Sequence, residues 1–206
     1  MLVEKKLTNQ ERIDQSDKSM LACAVELILE KGTEKTTLKE VGEKAGYSRG
    51  LAGYRFGSKS SLFAFVLTKL HHYWLYYLKE ATAGTVGLAA ITSCTDIHFQ
   101  VLDKNYDNVR AFYILWFEAL GDDADLKKIV ININAERHES VKHWIINDAS
   151  LAKNHKDAFM LATQYNCMIN GIVYQYLLAS DSAQINSEEL KNLHNSLNKT
   201  MSLLLR

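Results

Sequence analysis

Residues 36–63 read TTLKEVGEKAGYSRGLAGYRFGSKSSLF. Thr37 and Glu40 have capping-box spacing, in which each side chain satisfies the other's orphan backbone N–H. Leu38, Val41 and Ala45 then form the apolar face of a helix of barely two turns. Gly46 ends it. Ser48 is placed to cap a second short helix over about 48–54, and Ser58 a much longer one. Helix, tight glycine turn, short helix is the helix-turn-helix pattern.

Upstream, Leu21, Ala24, Val25, Ile28 and Leu29 share a stripe that predicts a helix over about 14–31, behind a frayed polar start over 1–13. Gly32 stands where a helix-ending glycine belongs. Of ten glycines, six fall at 32, 42, 46, 50, 53 and 57, so short elements come early and long ones later. The chain has no proline, which suits continuous helices. Periodicity predicts helices over 58–81, 88–104, 108–120, 123–148, 156–179 and from 186 to the end. The stretch AGTVG, 83–87, breaks the first two apart. KIVININ, 128–134, alternates like a strand, yet Leu126, Ile129, Val130, Ile133, Val141, Trp144 and Ile145 hold helical spacing for longer. Asn186 and Glu189 repeat the capping-box spacing. The expected fold is all-α with about nine helices, divided into a domain at 1–63 and a helical domain at 64–206.

Lys and Arg number 24, as do Asp and Glu, so the net charge is zero. The average hides a stretch of 36 residues, Lys44 through Lys79, without an acid. It holds Lys44, Arg49, Arg55, Lys59, Lys69 and Lys79. The second short helix can offer its N-terminal N–H groups to a phosphate. Arg49 can read guanine edges in the major groove, with Gly50, Ala52 and Gly53 as an exposed small face allowing close approach. Lys59 is placed for a backbone phosphate. The face assigned to DNA comprises Thr36, Thr37, Tyr47, Ser48, Arg49, Gly50, Ala52, Gly53, Tyr54, Arg55 and Lys59. The plainer reading is a solvated basic patch that caps helix ends.

At these residues the sequence resembles a known family. The helix ending in Glu30-Lys31-Gly32, then TTLKEVGEKAGYSRG, then Phe56, Ser58, Lys59 and Leu62-Phe63 resemble the DNA-binding domain of the TetR family of bacterial transcriptional repressors. The resemblance covers residues 14–63, and FYILWFEALGDDADLK is similar to a stretch in some members. It implies a three-helix DNA-binding domain, a separate helical ligand domain, a homodimer built mostly from the last two helices, and release of DNA when a small effector binds. One position departs. The family usually has Tyr three residues after the glycine matching Gly50, where this chain has Gly53, followed by Tyr54. Tyr54 either takes over that phosphate contact or the contact is lost.

The helix DAFMLATQYNCMINGIVYQYLLA is apolar almost all round, so it is buried on two sides. Gly171 permits a close helix crossing. Met168, Gly171, Ile172, Leu193, Leu197 and Met201 are the expected dimer residues, in an intersubunit four-helix bundle or, on the plainer reading, a monomeric core. A two-fold dimer places two recognition helices about 34–36 Å apart on a near-palindromic operator. The expected effector site is aromatic, formed by Trp74, Tyr77, Phe99, Phe112, Trp116, Trp144 and Tyr165, with Asn166 and Asn170 as polar anchors or satisfied interface groups. Such a lining suits an apolar or amphipathic effector. Glu118, in an apolar stretch, reads as one half of an ion pair or an anchor for a cationic ligand. The expected switch is a change in separation of the recognition helices passed through helix 58–81.

Three scattered cysteines, no CxxC and poorly spaced histidines give no metal site, and no cofactor or catalytic motif is present. Without a signal-peptide pattern or an apolar run of membrane length, the chain reads as cytoplasmic with no membrane partner. Two rivals stay open. One is a DNA-binding regulator without a small-molecule effector. The other is an all-helical enzyme whose basic face takes an anionic substrate.

Overall fold

The computed structural model describes residues 8–179 and 187–205. Among these there are nine α-helices, one 3-10 segment and no strand. The chain divides into two compact units. The first runs up to Lys69 and takes in Arg110–Lys127, and the second is Leu70–Val109 with the chain from Lys128 onwards.

In the first unit, α1 spans Asn9–Lys35, starting earlier than periodicity alone indicates. The reason is a cap. The Glu11 N–H donates to the Thr8 hydroxyl at 3.2 Å, and the Thr8 N–H donates to the Glu11 carboxylate at 2.7 Å. Of the expected frayed start, residues 1–7 lie outside the described residues. Gly32 interrupts the helix at φ 80°, ψ 168°, and the chain turns once more to Lys35. The short α2, Leu38–Lys44, is capped by the Thr37 hydroxyl, which accepts the Glu40 N–H at 3.3 Å. The Glu40 carboxylate accepts the Thr37 hydroxyl at 2.6 Å and the Lys31 ammonium at 2.5 Å instead of the Thr37 N–H, so only half of the expected capping box forms.

The helix α3 spans Arg49–Phe56 and ends at Gly57, where φ is 70°. It packs on α2, which packs on α1. Gly42 makes the tight crossing possible, since a Cβ there would stand 3.3 Å from the Ala52 Cβ. Then α4, Lys59–Thr82, begins with the Ser58 hydroxyl accepting the Ser61 N–H at 3.0 Å. Met20, Ala24, Ile28, Val41, Ala52, Leu62, Phe63, Val66 and Leu67 form the buried heart of this unit. The end of α6 (Tyr106–Glu118) adds Ala111, Phe112 and Leu115, and the start of α7 (Ala124–Ile146) adds Leu126. The Asp123 carboxylate caps α7 by accepting the Leu126 N–H at 3.0 Å, and it also accepts the Ser60 hydroxyl at 2.8 Å.

The second unit holds the rest of α4 and α7, with α5 (Gly87–Lys104), the 3-10 segment Ala149–Asp157, α8 (Ala158–Ala179) and α9 (Ser187–Leu204). KIVININ is helical as expected, because Val130, Ile133, Val141 and Ile145 are all buried at helical spacing. In α9, Leu190, Leu197 and Met201 are buried, and the helix packs on α5 and α8. Asn186, the expected cap of this helix, lies outside the described residues. Periodicity gave no sign of the 3-10 segment. It begins at Asp148, whose carboxylate accepts the Ser150 N–H at 2.9 Å and the Ser150 hydroxyl at 2.6 Å. The same carboxylate crowds Gly87, which sits at φ 60° and whose missing Cβ would fall 1.8 Å from Asp148 Oδ2. Any side chain at position 87 would collide with this turn.

Candidate nucleic-acid interface

The face expected to meet DNA divides sharply in the structure. Tyr54 is 91% exposed on α3. Thr37, Ser48 and Gly50 are exposed beside it, and Tyr47 and Gly53 are half-buried. Arg49 opens α3, and its side chain lies outside the described residues. Ser48 holds the N-cap position, yet its hydroxyl makes no capping hydrogen bond. The first N–H groups of α3 therefore keep their positive field for an incoming anion. Gly50 has open space where a Cβ would be, as does Gly53, so the outer face of α3 is smooth beneath Tyr54.

Of the other expected members, two are buried and two are half-buried and engaged by α1. Ala52 is 0% exposed because α3 turns it onto Gly42. Thr36 is buried, and its hydroxyl donates to the Gly32 carbonyl at 2.8 Å, closing the end of α1. Arg55 makes an ion pair with Asp17 of α1. The Lys59 ammonium donates to the Thr33 carbonyl at 3.1 Å and the Glu34 carbonyl at 2.9 Å. There it complements the negative end of α1.

The acid-free run is thus not acid-free in space. Lys44 meets Glu26 at 2.7 Å and Glu30 at 3.4 Å, and the Glu26 hydrogen bond, more than any other contact, holds the ammonium pKa above its usual value. Lys69 reaches Asp17 at 3.3 Å. The Lys31 hydrogen bond, then Thr37, holds Glu40 below the usual carboxylate range. Lys39, on the exposed side of α2 next to Thr37, is a surface cation that the motif reading passed over.

The expected effector residues separate as well. Phe112 and Trp116 belong to the first unit, with ring centroids 5.3 Å apart. Glu118, also there, accepts the Thr33 hydroxyl at 3.0 Å and is exposed, so the apolar stretch around it does not bury it. Trp74, Phe99, Trp144, Tyr165 and Asn166 are buried in the second unit, Asn170 is half-buried, and Tyr77 is exposed. Tyr165 lies 3.1 Å from the Thr95 hydroxyl, and Asn166 donates to the Ala162 carbonyl at 2.8 Å. Around Trp74 the sequence reading missed the polar neighbours. His71 stacks on it at 5.7 Å, His98 meets it at 4.8 Å, and the Arg137 guanidinium lies 4.8 Å over its ring. Arg137 also donates to the Asn170 side chain at 3.4 Å. Its place between Ile133 and Val141 in the apolar spacing of α7 was the available signal.

Burial dominates the titration of these groups. It pushes His98 down to about 3, with the Arg137 charge adding to it. It also lowers His71, against the pull of the Glu136 carboxylate 2.9 Å away. The Cys94 thiol is pushed up to about 12 by burial.

The expected dimer residues divide likewise. Gly171 is exposed, and Met168, Ile172 and Leu193 are half-buried. Leu197 and Met201 are buried within their own chain, so they do not face outward. The outward stripe of α8 is instead Met160, Gln164, Cys167, Gly171, Tyr174 and Leu178. Its alternating spacing of four and three is that of a coiled-coil seam.

A three-helix unit that presents α3 smooth, uncapped and exposed beyond a tight α2–α3 crossing is a helix-turn-helix DNA-binding domain. Residues 20–66 match the pattern that defines the bacterial regulatory proteins of the tetR family. Over that stretch, which lies within the first unit, the chain is similar to that family's N-terminal domain. Its fold is similar to that of a transcriptional regulator from Rhodococcus sp. Rha1, with TM-score 0.76 at 18% identity over 90% of this chain and 95% of that one. It is similar to the fatty acid degradation regulator FadR from Bacillus halodurans, with TM-score 0.73 at 11% identity over 96% of each chain. It is also similar to a regulator from Saccharomonospora viridis solved in complex with choline, with TM-score 0.72 at 14% identity over 92% of this chain and 96% of that one. No curated protein matches the sequence. Among the described residues no helix is long and apolar enough to cross a membrane.

Proposed function

We propose that the protein is a homodimeric repressor that binds a near-palindromic operator through α3 and is released from it by a small apolar or amphipathic effector. The observation that carries the DNA-binding part is the exposed outer face of α3, where Tyr54 stands over Gly50 with Ser48 leaving the helix start open. Tyr54 takes the phosphate contact for which Gly53 has no side chain. Arg49, at the first position of α3, reads base edges.

The dimer is supported by the α8 stripe, where Met160 and Leu178 are each 58% exposed. A large exposed apolar stripe at coiled-coil spacing calls for a partner, and a second copy supplies the same stripe. Two copies place their α3 helices about one DNA turn apart, roughly 34–36 Å. The effector reading rests on the aromatic and polar residues buried in the second unit, and on neighbours of the same fold that include a choline complex. Effector binding favours the dimer state that fits DNA poorly, and its leverage equals its differential affinity for the two states.

The test is a mobility shift of the DNA around the gene's own promoter. Two chains should bind per site, with an affinity that falls steeply as salt rises. Leu178→Glu should give monomers and lose most of the operator affinity. A wild-type protein that binds the site as a monomer, or binds all DNA equally, would overturn the reading.

A further inference from the structure

The ring nitrogens around Trp74 do not close on one another. The His98 Nδ1 lies 2.8 Å from the Cys94 carbonyl, so Nδ1 carries the proton and donates. That leaves Nε2 of a neutral ring as a bare acceptor, buried and without a partner. His71 is similar. Its Nε2 faces the Glu136 carboxylate at 2.9 Å and therefore carries the proton, leaving a buried, unpartnered Nδ1 acceptor. The Trp74 Nε1–H, on the ring that both histidines touch, is a buried donor with no acceptor. All three side chains are more than nine-tenths buried. They belong to rings in mutual contact through Trp74.

Buried polar groups without partners are costly, and native proteins keep few of them. One donor and two acceptors define what would satisfy them: a group that accepts one hydrogen bond and donates at least one. Charge narrows the choice further. A cation would lie close to the Arg137 guanidinium and could not accept from the indole. A carboxylate would face two bare nitrogen lone pairs. An uncharged hydroxyl fits both sides, accepting from Trp74 Nε1–H and donating to His98 Nε2 or His71 Nδ1. On the same helices, Leu70 and Leu78 of α4, Ile91 and Phe99 of α5 and Ile133 of α7 are buried and apolar.

We propose that Trp74, His98 and His71 form the polar end of the effector site, and that the effector is an uncharged alcohol or phenol on an apolar body. This rests on the effector reading above and narrows its chemistry. The test uses a matched set of 1-octanol, octanoate and octylamine, titrated into the full chain while the indole N–H resonances are followed by NMR. Trp74→Phe identifies the Trp74 resonance. If that variant does not fold, assignment through backbone resonances serves instead.

Octanol should shift the Trp74 indole and bind at least about tenfold more tightly than either charged analogue, as two buried hydrogen bonds would give. Preference for octanoate or octylamine would overturn the proposal. So would octanol binding that leaves the Trp74 indole unmoved, or no octanol binding up to its solubility, which would mean that an internal water completes the cluster. A mobility shift run in parallel separates the two readings. Octanol that occupies the site but leaves operator binding intact supports the site and contradicts the effector role.

Discussion

The two units treat polarity in opposite ways. In the first, four basic side chains of the acid-free run are engaged by α1. Lys44, Arg55 and Lys69 meet carboxylates of α1, and Lys59 meets carbonyls at its end. Among the described side chains, α3 leaves Tyr54 outside, beside a glycine face and an open helix start. In the second, polar atoms are drawn into the apolar centre and left open, with an indole donor and two imidazole acceptors around Trp74. A unit that presents a fixed surface benefits from internal closure. On the proposed function, a unit that answers a ligand benefits from groups that only the ligand completes.

The largest expected effect breaks the closed unit. Ala52→Asp would place a carboxylate against Gly42 with no partner, and a loss of about 3 kcal/mol or more is expected in chemical denaturation. If Ala52 instead faced DNA, stability would hold and only DNA binding would suffer.

Next comes acid, which probes the open unit. His98 has an ordinary value of 6.5 and a folded value of about 3, so the unfolded chain binds the proton first as pH falls. Stability from this group is therefore present above about pH 6.5 and is lost progressively below it. At pH 4.5 the cost reaches about 2–3 kcal/mol. His71, lowered by the same burial, adds in the same direction. His98→Asn should flatten the pH dependence of the melting temperature between pH 6.5 and 4.5. Equal slopes in variant and wild type would show that His98 titrates normally.

A smaller effect concerns the partner of Lys59. Lys59→Met removes two hydrogen bonds to the end of α1 and should cost about 1 kcal/mol of stability. A surface lysine reserved for phosphate would leave the melting temperature unchanged. The smallest effect is Tyr54→Phe. It should lower operator affinity several-fold through loss of one phosphate hydrogen bond, with no change in melting temperature.

These contrasts also mark how far the sequence could be read. The Thr37 hydroxyl as cap of α2, the helix-ending Gly46, Ser58 at the start of α4 and the apolar spacing of α7 are local signals that appear in the structure as read, while Glu40 turns to the Thr37 hydroxyl and Lys31 and leaves the box half formed. Thr8 was missed because its box with Glu11 precedes the first apolar stripe. The fate of charges was not legible, because Asp17 and Glu26 lie far from Arg55 and Lys44 in sequence and adjacent only after α1 folds back. Ala52 was misplaced for a related reason: in so short a helix, small residues face either DNA or a neighbouring glycine. Leu197 and Met201 fit a leucine stripe, but which side of α9 meets its own chain depends on α5. The Trp74 cluster joins α4, α5 and α7, and no spacing within one helix reveals it.

The central claim is that the outer face of α3 touches DNA and does nothing else. Gly50→Glu tests it most directly. The Cβ enters open space, the substitution removes a helix glycine, and a carboxylate near the start of α3 suits the helix dipole. The melting temperature should be unchanged or higher, while operator affinity falls by roughly a hundredfold or more through repulsion at the phosphates. A folded Gly50→Glu protein that still binds its operator with wild-type affinity would contradict the account.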